Sequence, residues 1–333
     1  MIAPKRNALL LALLFVGLLV ASVQSLEQTE NIIASYGAIN VPANNWWGVV
    51  VSDTAWKRWG SYFGETQIDI LKQSRATGVR IMLDKHPWET GDTQNVLGIP
   101  YKDYIKQLVD WCKPDMKVYL CLTRDSTTGS FGYFEKYQVI TTSDLSEAWI
   151  DWGKEVIAYC QPNAIGIMNE PASKDYDPGM DYYINNFVIP SIQAYRSIDQ
   201  NIIVFVTATP TWHVQLFEDY PINDEKVIYE YHTYNFFTSR QIAFDYLDWK
   251  TGSLPKHRFI IGEFGLEMYT DEKEPRYENW RDSQKYVYDY VKENDLLGCF
   301  QYGFTKSHYI MLDPDTHHTT WTPYGQWWVD NIT

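Results

Sequence analysis

The sequence is poor in cysteine and in basic residues, and each shortage excludes a class of protein. Four cysteines in 333 residues are too few for a small scaffold held together by disulfide bonds. Lys and Arg number 28 against 42 Asp and Glu, so the net charge is −14 at pH 7. Such a chain is a poor partner for nucleic acid or an anionic membrane surface, because both repel it. P-loop, H-E-x-x-H and G-x-S-x-G motifs are also absent from the sequence, which disfavours the chemistries that depend on them.

Long apolar runs are missing as well, except near the N-terminus. Lys5 and Arg6 precede an uncharged apolar run over residues 8–23, which is shorter than the roughly 20 residues of a membrane-spanning helix. Residues 23–25 offer a cleavage site, so residues 1–25 are predicted to be a secretory signal peptide. The alternative is an uncleaved N-terminal anchor. The protein is therefore expected to be secreted, with no other membrane segment.

Aromatic residues are the component in excess. Phe, Trp and Tyr make up 16% of the chain, with 14 Trp and 25 Tyr, whereas the hydrophobic share of 45% and the charged share of 21% are ordinary. The composition therefore indicates a folded globular protein rather than a disordered one. Together with the acidic charge, the aromatic excess favours an uncharged ligand bound by flat aromatic faces.

Short apolar runs alternate with helix-compatible stretches along the chain. The runs typical of strands lie at 47–51, 79–83, 117–122, 164–168, 202–206, 227–231, 259–261 and 298–302. Helical patterns lie at 66–76, 101–112, 144–160, 181–197, 240–250, 277–293 and 325–331. This repeat predicts an α/β fold with parallel strands, and its eight units match a single-domain (β/α)8 TIM barrel over residues 26–333. A doubly wound open sheet is the competitor, but no G-x-G-x-x-G follows a predicted strand.

Two cysteines occupy similar places in the repeat. Cys112 and Cys160 each end a predicted helix and are followed two residues later by proline. A Cys112–Cys160 disulfide is therefore one expectation for a secreted protein, and free thiols are the other. Cys121 and Cys299 lie inside predicted strands and are expected to be small buried hydrophobic side chains.

Two glutamates follow predicted strands. Glu170 comes after the strand at 164–168, in Asn-Glu-Pro, and Glu263 after the strand at 259–261, in Gly-Glu-Phe-Gly. In a TIM barrel the carboxyl ends of the strands form the active site, so both carboxylates are expected on one face. A single Glu at such a place is more often a cap or an ion-pair partner. Burying two carboxylates costs free energy, so such a pair indicates a function, and glycoside hydrolysis requires a pair of carboxyl groups.

Four motifs in this order resemble glycoside hydrolase family 5, the cellulase-type retaining (β/α)8 glycosidases. They are Gly78-Val79-Arg80, Asn169-Glu170-Pro171, His232-Thr233-Tyr234 and Gly262-Glu263-Phe264-Gly265. The resemblance implies that Glu170 is the general acid/base and Glu263 the nucleophile. It also implies substrate-side roles for four further residues: Asn169 holds the sugar 2-hydroxyl, Tyr234 donates to Glu263, Arg80 keeps Glu263 ionised, and His232 orients the site or binds the sugar.

The sequence departs from the family pattern at two strand ends. Residues 122–125 read Leu-Thr-Arg-Asp where family members usually carry a His, and His86, after the second predicted strand, is the candidate for that role. The eighth strand usually ends in a Trp that stacks under the sugar, and here Tyr302 or Phe300 takes its place.

Tryptophans near strand termini and in loops are candidate sugar platforms, with core packing as the alternative. These are Trp47, Trp88, Trp212 and Trp321. Those on helical patterns are expected to pack the outer layer, namely Trp111, Trp149, Trp152, Trp249 and Trp280.

The sequence thus predicts a secreted retaining β-glycosidase that hydrolyses a β-linked polysaccharide of the β-1,4-glucan or mannan type. An exo-acting glycosidase or transglycosylase on oligosaccharides is one alternative, and a non-catalytic glycan-binding barrel is another. No cofactor or metal is expected. Acidic and histidine side chains between 313 and 318 fit a polar loop at the site entrance better than a cation site.

Overall fold

The computed structural model describes residues 46–52, 54, 63–128, 131–265, 279–304 and 311–331. The predicted signal peptide therefore lies outside the described residues. Within the described part of the chain, no helix is both long enough and apolar enough to cross a membrane.

Eight parallel strands close into a barrel in chain order, which confirms the predicted (β/α)8 fold. The strands are β1 (Trp46–Val51), β2 (Gly78–Asp84), β3 (Lys117–Arg124), β4 (Ala164–Gly166), β5 (Ile203–Thr207), β6 (Val227–Thr233), β7 (Phe259–Phe264) and β8 (Gly298–Tyr302). They are buried almost throughout, because one face of each strand lines the barrel and the other packs under helices. Burial of both faces explains why they read as continuous apolar runs.

Helices surround the barrel in the described regions. They are α1 (Glu65–Gln73), α2 (Lys85–Thr90), α3 (Tyr101–Cys112), α4 (Tyr133–Thr141), α5 (Ser143–Cys160), α6 (Met180–Tyr183), α7 (Ile189–Arg196), α8 (Arg240–Thr251), α9 (Trp280–Glu293) and α10 (Pro323–Asn331). Helices α2 and α4 were not predicted. The predicted helix at 181–197 is divided by a π-helical turn, Ile184–Val188, because Pro190 has no N–H to continue the α-helical ladder.

The lower end of the barrel is closed by aromatic side chains. The Trp46 ring meets Phe205 and Phe300 edge to face, with centroids 5.6 and 6.4 Å apart, and Tyr119 lies 4.3 Å from Phe205. Gly166 admits Tyr119, since a Cβ there would lie 2.3 Å from the Tyr119 hydroxyl. Polar groups of the site therefore rest on a packed aromatic layer.

The proposed disulfide is wrong. Cys112 and Cys160, at the ends of α3 and α5, are free and buried, as are Cys121 and Cys299. The thiols of Cys112 and Cys160 belong to the apolar layer beneath the helices, and burial raises the pKa of each to about 12. These side chains act as small hydrophobic groups.

Candidate active site

A local irregularity in β7 turns Glu263 into the barrel. Tyr231 of β6 pairs with Ile261, but the next residue, His232, pairs with Glu263, so Gly262 is an extra residue in β7. Without this bulge, strand alternation would direct Glu263 toward the helices. Gly262 is required here because a Cβ would lie 1.8 Å from Oε1 of Glu230.

Glu170 reaches the same centre from a strained segment. Strand β4 ends at Gly166, and Glu170 has a φ of 45°, in the left-handed region that non-glycine residues rarely adopt. Its side chain is 20% exposed, and its Oε1 lies 3.0 Å from Nδ1 of His232. Single ligand atoms of Glu170, His232 and Glu263 all lie within 4.8 Å of one another. The structure therefore brings the two predicted catalytic carboxylates together.

Two donors hold the Glu263 carboxylate. Nη1 of Arg80 lies 2.5 Å from Oε1, and the Tyr234 hydroxyl donates to Oε2 over 2.5 Å. Arg80 is fully buried, and its Nη2 also donates to Oδ1 of Asn169 over 2.7 Å. One guanidinium thus fixes the carboxylate and the orientation of the neighbouring amide. The remaining hydrogen-bonding group of that amide is its NH₂ donor.

Glu230 is a third carboxylate that the sequence reasoning missed. It is 1% exposed, lies 3.1 Å from Nε of Arg80 and accepts from the Tyr119 hydroxyl over 2.8 Å. Burial raises the pKa of Glu230, but Arg80 and His232 outweigh it and bring the value to about 2. A signal was present: Glu230 and His232 are two residues apart in an apolar strand, so both face the barrel interior.

His232 lies between two of these carboxylates. Its Nδ1 is 3.0 Å from Glu170 and its Nε2 is 3.3 Å from Glu230. Burial lowers the pKa of His232, but the surrounding carboxylates of Glu263, Glu170 and Glu230 raise it to about 10. His232 is therefore an imidazolium near neutral pH, and both ring nitrogens donate.

The pKa of Glu170 follows from two opposing effects. Burial raises it, and the hydrogen bond and charge of His232 outweigh burial, so that the net direction is downward. Lys136 of α4, also missed from the sequence, adds a positive charge on the same side. Its Nζ donates to the main-chain oxygens of Asn169 and Glu170 over 2.6 and 3.0 Å.

Some predicted substrate-binding residues lie at the open face. Tyr302 ends β8 and meets Tyr234 edge to face, with ring centroids 6.0 Å apart. Trp212 lies in the loop after β5 and is 41% exposed. His86, in α2, is half-buried with Nδ1 3.3 Å from the Thr127 hydroxyl, and none of its described contacts reaches Glu170 or Glu263.

Other aromatic predictions are wrong because the side chains are buried. Trp47 stacks on Tyr288 of α9 with centroids 5.6 Å apart, since strand alternation directs it toward the helices. Trp88 of α2 is 3% exposed and belongs to the core beneath the helices. Phe300 is fully buried in the lower layer of the barrel.

The remaining tryptophans divide between the outer layer and the surface. Trp149, Trp152 and Trp280 are buried, as predicted for the outer layer, and Trp111 is half-buried against it. Trp249 was expected there too but is 58% exposed. Trp321 is half-buried, 5.8 Å from Phe304 and 6.0 Å from Trp328.

Comparisons with known proteins identify the family and the fold. A family model described as Cellulase (glycosyl hydrolase family 5) matches residues 36–307. Among curated proteins, none matches the sequence significantly.

Three solved structures share the fold at low sequence identity. A broad-specificity endoglucanase from Clostridium acetobutylicum is 16% identical, with a TM-score of 0.63 over 87% of this chain and 97% of that one. An endocellulase from the archaeon Pyrococcus horikoshii is 14% identical, with a TM-score of 0.63 over 87% and 93%. A β-glucanase from Saccharophagus degradans is 13% identical, with a TM-score of 0.66 over 86% and 87%.

Proposed function

The chain belongs to glycosyl hydrolase family 5, the cellulase family, and on that premise we propose that it is a secreted, endo-acting β-1,4-glucanase that retains anomeric configuration. The observation that carries the mechanism is the distance between the two catalytic carboxylates. Oxygens of Glu170 and Glu263 lie within 4.8 Å of each other. Retaining enzymes hold their carboxyl groups about 5–5.5 Å apart, whereas inverting enzymes leave ~6.5–9.5 Å for a water molecule.

In the first step a Glu263 oxygen attacks the anomeric carbon while the bond to the leaving-group oxygen breaks. Glu170 gives its proton to that oxygen, and a glycosyl ester of Glu263 forms. The Asn169 amide, fixed by Arg80, presents its NH₂ group to the sugar 2-hydroxyl, where a hydrogen bond strengthens as positive charge develops on the ring.

The proton that Glu170 delivers belongs to a hydrogen-bonded pair. With His232 as an imidazolium 3.0 Å from Glu170, one proton is shared between the two groups. When a leaving-group oxygen lies beside Glu170, it accepts a proton from the Glu170 carboxyl group. Glu170 takes that proton from His232, which is left neutral.

In the second step water attacks the glycosyl ester, and the Glu170 carboxylate accepts its proton. Esterification has removed the negative charge of Glu263, which in the resting site raises the pKa of His232. Bond cleavage then releases the sugar and restores the Glu263 carboxylate beside Arg80 and Tyr234.

Three features support the choice of substrate and location. The solved structures with this fold are described as an endoglucanase, an endocellulase and a β-glucanase. Exposed Trp212 and half-buried Tyr302 provide aromatic surface for a neutral sugar chain. The prediction of secretion rests on the N-terminal apolar run at 8–23, which is typical of a signal peptide.

The test is hydrolysis of soluble β-1,4-glucan and β-mannan, with the anomeric configuration of fresh product followed by NMR. We expect internal cleavage of the glucan and initial release of the β-anomer. Glu263→Gln should abolish turnover, Glu170→Ala should retain activity only on substrates with good leaving groups, and exposed Glu155→Gln is the control. A preference for mannan would change the assigned substrate. Release of single sugar residues would indicate an exo-acting enzyme, and glycosyl transfer would indicate a transglycosylase. Initial release of the α-anomer would reject the retaining mechanism.

A further inference from the structure

A fully enclosed lysine supports the segment that carries the acid/base. Lys136 lies on α4, the helix between β3 and α5, and is 7% exposed. Its Nζ donates to the main-chain oxygens of Asn169 and Glu170 over 2.6 and 3.0 Å. The ammonium also lies 5.4 Å from the ring centroid of Tyr133, on the same helix. The two hydrogen bonds converge on the segment that follows β4.

Burying the ammonium group of Lys136 costs free energy that a purely structural contact would not require. Moving an ammonium group out of water costs several kcal/mol unless charges or several acceptors compensate. Burial lowers the pKa of Lys136, and the carboxylates of Glu170 and Glu263 oppose that change. An apolar side chain at this position would avoid the desolvation cost, so a role for the positive charge is indicated.

The supported backbone is the part of the site that most needs support. Strand β4 ends at Gly166, so Asn169 and Glu170 lie beyond its regular pairing. Glu170 has a φ of 45°, a conformation that costs about 1–3 kcal/mol for a residue with a side chain. Two charge-assisted hydrogen bonds to adjacent carbonyl oxygens hold the peptide in that conformation.

Helix α4 makes a second contact with the same residue. The Tyr133 hydroxyl lies 3.5 Å from Oε2 of Glu170, on the oxygen that His232 does not contact. Gly132 caps the start of the helix, and its N–H donates to the Glu135 side chain over 2.8 Å. Both Tyr133 and Lys136 are therefore held in the first turn of a capped helix.

We propose that Lys136 is a positioning residue for the acid/base Glu170, fixing the main chain that carries it and stabilising the carboxylate form in which Glu170 leaves the proton-transfer step. This rests on the proposed function. The contribution is largest when the leaving group needs protonation and smallest when it departs unaided.

The charge of Lys136 also affects the pH at which Glu170 acts. Several charged or titratable groups surround Glu170, and they come from β2 (Arg80), α4 (Tyr133, Lys136), β6 (Glu230, His232), the residue after β6 (Tyr234), β7 (Glu263) and β8 (Tyr302). Lys136 lowers the pKa of Glu170. Removing that charge raises it, so the alkaline limb of the pH profile should move to higher pH.

The kinetic test compares phenyl and dinitrophenyl β-cellobiosides, which carry a poor and a good leaving group. For Lys136→Met, kcat/KM on the phenyl substrate should fall about 100-fold, the scale of general acid catalysis, while the dinitrophenyl substrate loses less than about tenfold. Lys136→Arg should recover part of the loss. Equal losses on the two substrates, or none, would overturn the proposal.

Lys250→Met is the matched control. Lys250 is also a buried helical lysine that donates to a main-chain oxygen, that of Trp212, over 2.5 Å. Because this contact lies in the loop after β5 and not beside Glu170, any loss of kcat/KM should be the same for both leaving groups. A leaving-group dependence as large as that of Lys136→Met would show that the effect is not specific to Glu170.

A measurement without substrate separates this proposal from the proposed function. The Glu170 carboxyl is titrated by NMR in isotopically labelled protein and assigned through Glu170→Gln. Lys136→Met, or Lys136→Gln if the first variant does not fold, should raise its pKa, and Lys136→Arg should not. An unchanged pKa in both uncharged variants would reject the role of Lys136, whereas an upward shift in an enzyme inactive on all β-glycans would reject only the assigned reaction.

Discussion

At the scale of single residues, Glu230 determines the electrostatic state of the site. Its carboxylate touches both buried cations of the barrel interior, Arg80 and His232. With Lys136, these cations balance the carboxylates of Glu170, Glu230 and Glu263 in the described part of the site. Removing one member of such a group leaves an unbalanced buried charge, which is strongly destabilising.

Glu230→Gln should therefore lower the free energy of unfolding near neutral pH by about 3–5 kcal/mol. The folded-state pKa of Glu230 is about 2, below its ordinary value of 4.5. Its contribution to stability is present above pH 4.5 and is lost as the pH falls toward about 2. Urea unfolding across that range should show a weaker acid dependence in the variant than in wild type.

The control is Glu225→Gln, at an exposed position, which should change neither the stability nor its pH dependence. His232 acts with the opposite sign. Its pKa rises from 6.5 to about 10, so its contribution is complete below pH 6.5 and is lost as the pH rises through about 10. Stability that does not fall at all between these limits would contradict an imidazolium in the barrel.

At the scale of elements, a tryptophan in a loop after a strand and one in a helix differ in how much of the side chain is exposed. Trp212 lies in the loop after β5, where Thr211 bonds the main chain of Ala172 in the loop after β4. This bond ties the residue before Trp212 to the segment that follows Glu170, and the Trp212 side chain is 41% exposed. Trp88 also follows a strand, but α2 places it at 3% exposure beneath the helices.

These two tryptophans should respond differently to truncation. Trp212→Ala should leave the melting temperature unchanged and raise KM by roughly three- to tenfold, the equivalent of about 1 kcal/mol of lost contact. Trp88→Ala should lower the free energy of unfolding by about 3–5 kcal/mol, because it leaves a cavity in the core. Denaturant unfolding and steady-state kinetics on soluble glucan measure both, and an unchanged KM in Trp212→Ala would remove Trp212 from the substrate surface.

At the scale of the whole molecule, stability comes from apolar packing on both sides of the barrel wall. One apolar layer lies between the strands and the helices, and aromatic side chains fill the barrel's lower end. The four cysteines belong to this buried interior and form no bridges. The fold therefore does not depend on an oxidising compartment, whatever the location of the protein.

A thiol titration should find four reactive thiols in the protein unfolded without reductant, and reaction should be slow in the native state, where burial raises the pKa of Cys112 and Cys160 to about 12. Reductant should not change the melting temperature. Two missing thiols, or a fall in melting temperature on reduction, would contradict the structure.

Much of the fold was predictable because its signals are local. All eight strands were located, and both glutamates were placed at the correct end of the barrel. The extents of β4 and β7 were wrong, because the bulge at Gly262 and the left-handed Glu170 depend on neighbouring strands. Helix α4 was missed although Glu135 lies three residues after Gly132, a spacing typical of a capped helix start.

The sequence by itself determined the barrel, the candidate catalytic pair and the family resemblance, since alternation along a strand and polar residues at its end are properties of short segments. Only the tertiary structure decided which tryptophans are exposed, that the cysteines are unpaired, and that Glu230 and Lys136 belong to the site. These outcomes depend on residues far apart in the chain: 183 positions separate Arg80 from Glu263 and 111 separate Tyr119 from Glu230. Burial and charge balance arise only when the closed barrel brings such residues together.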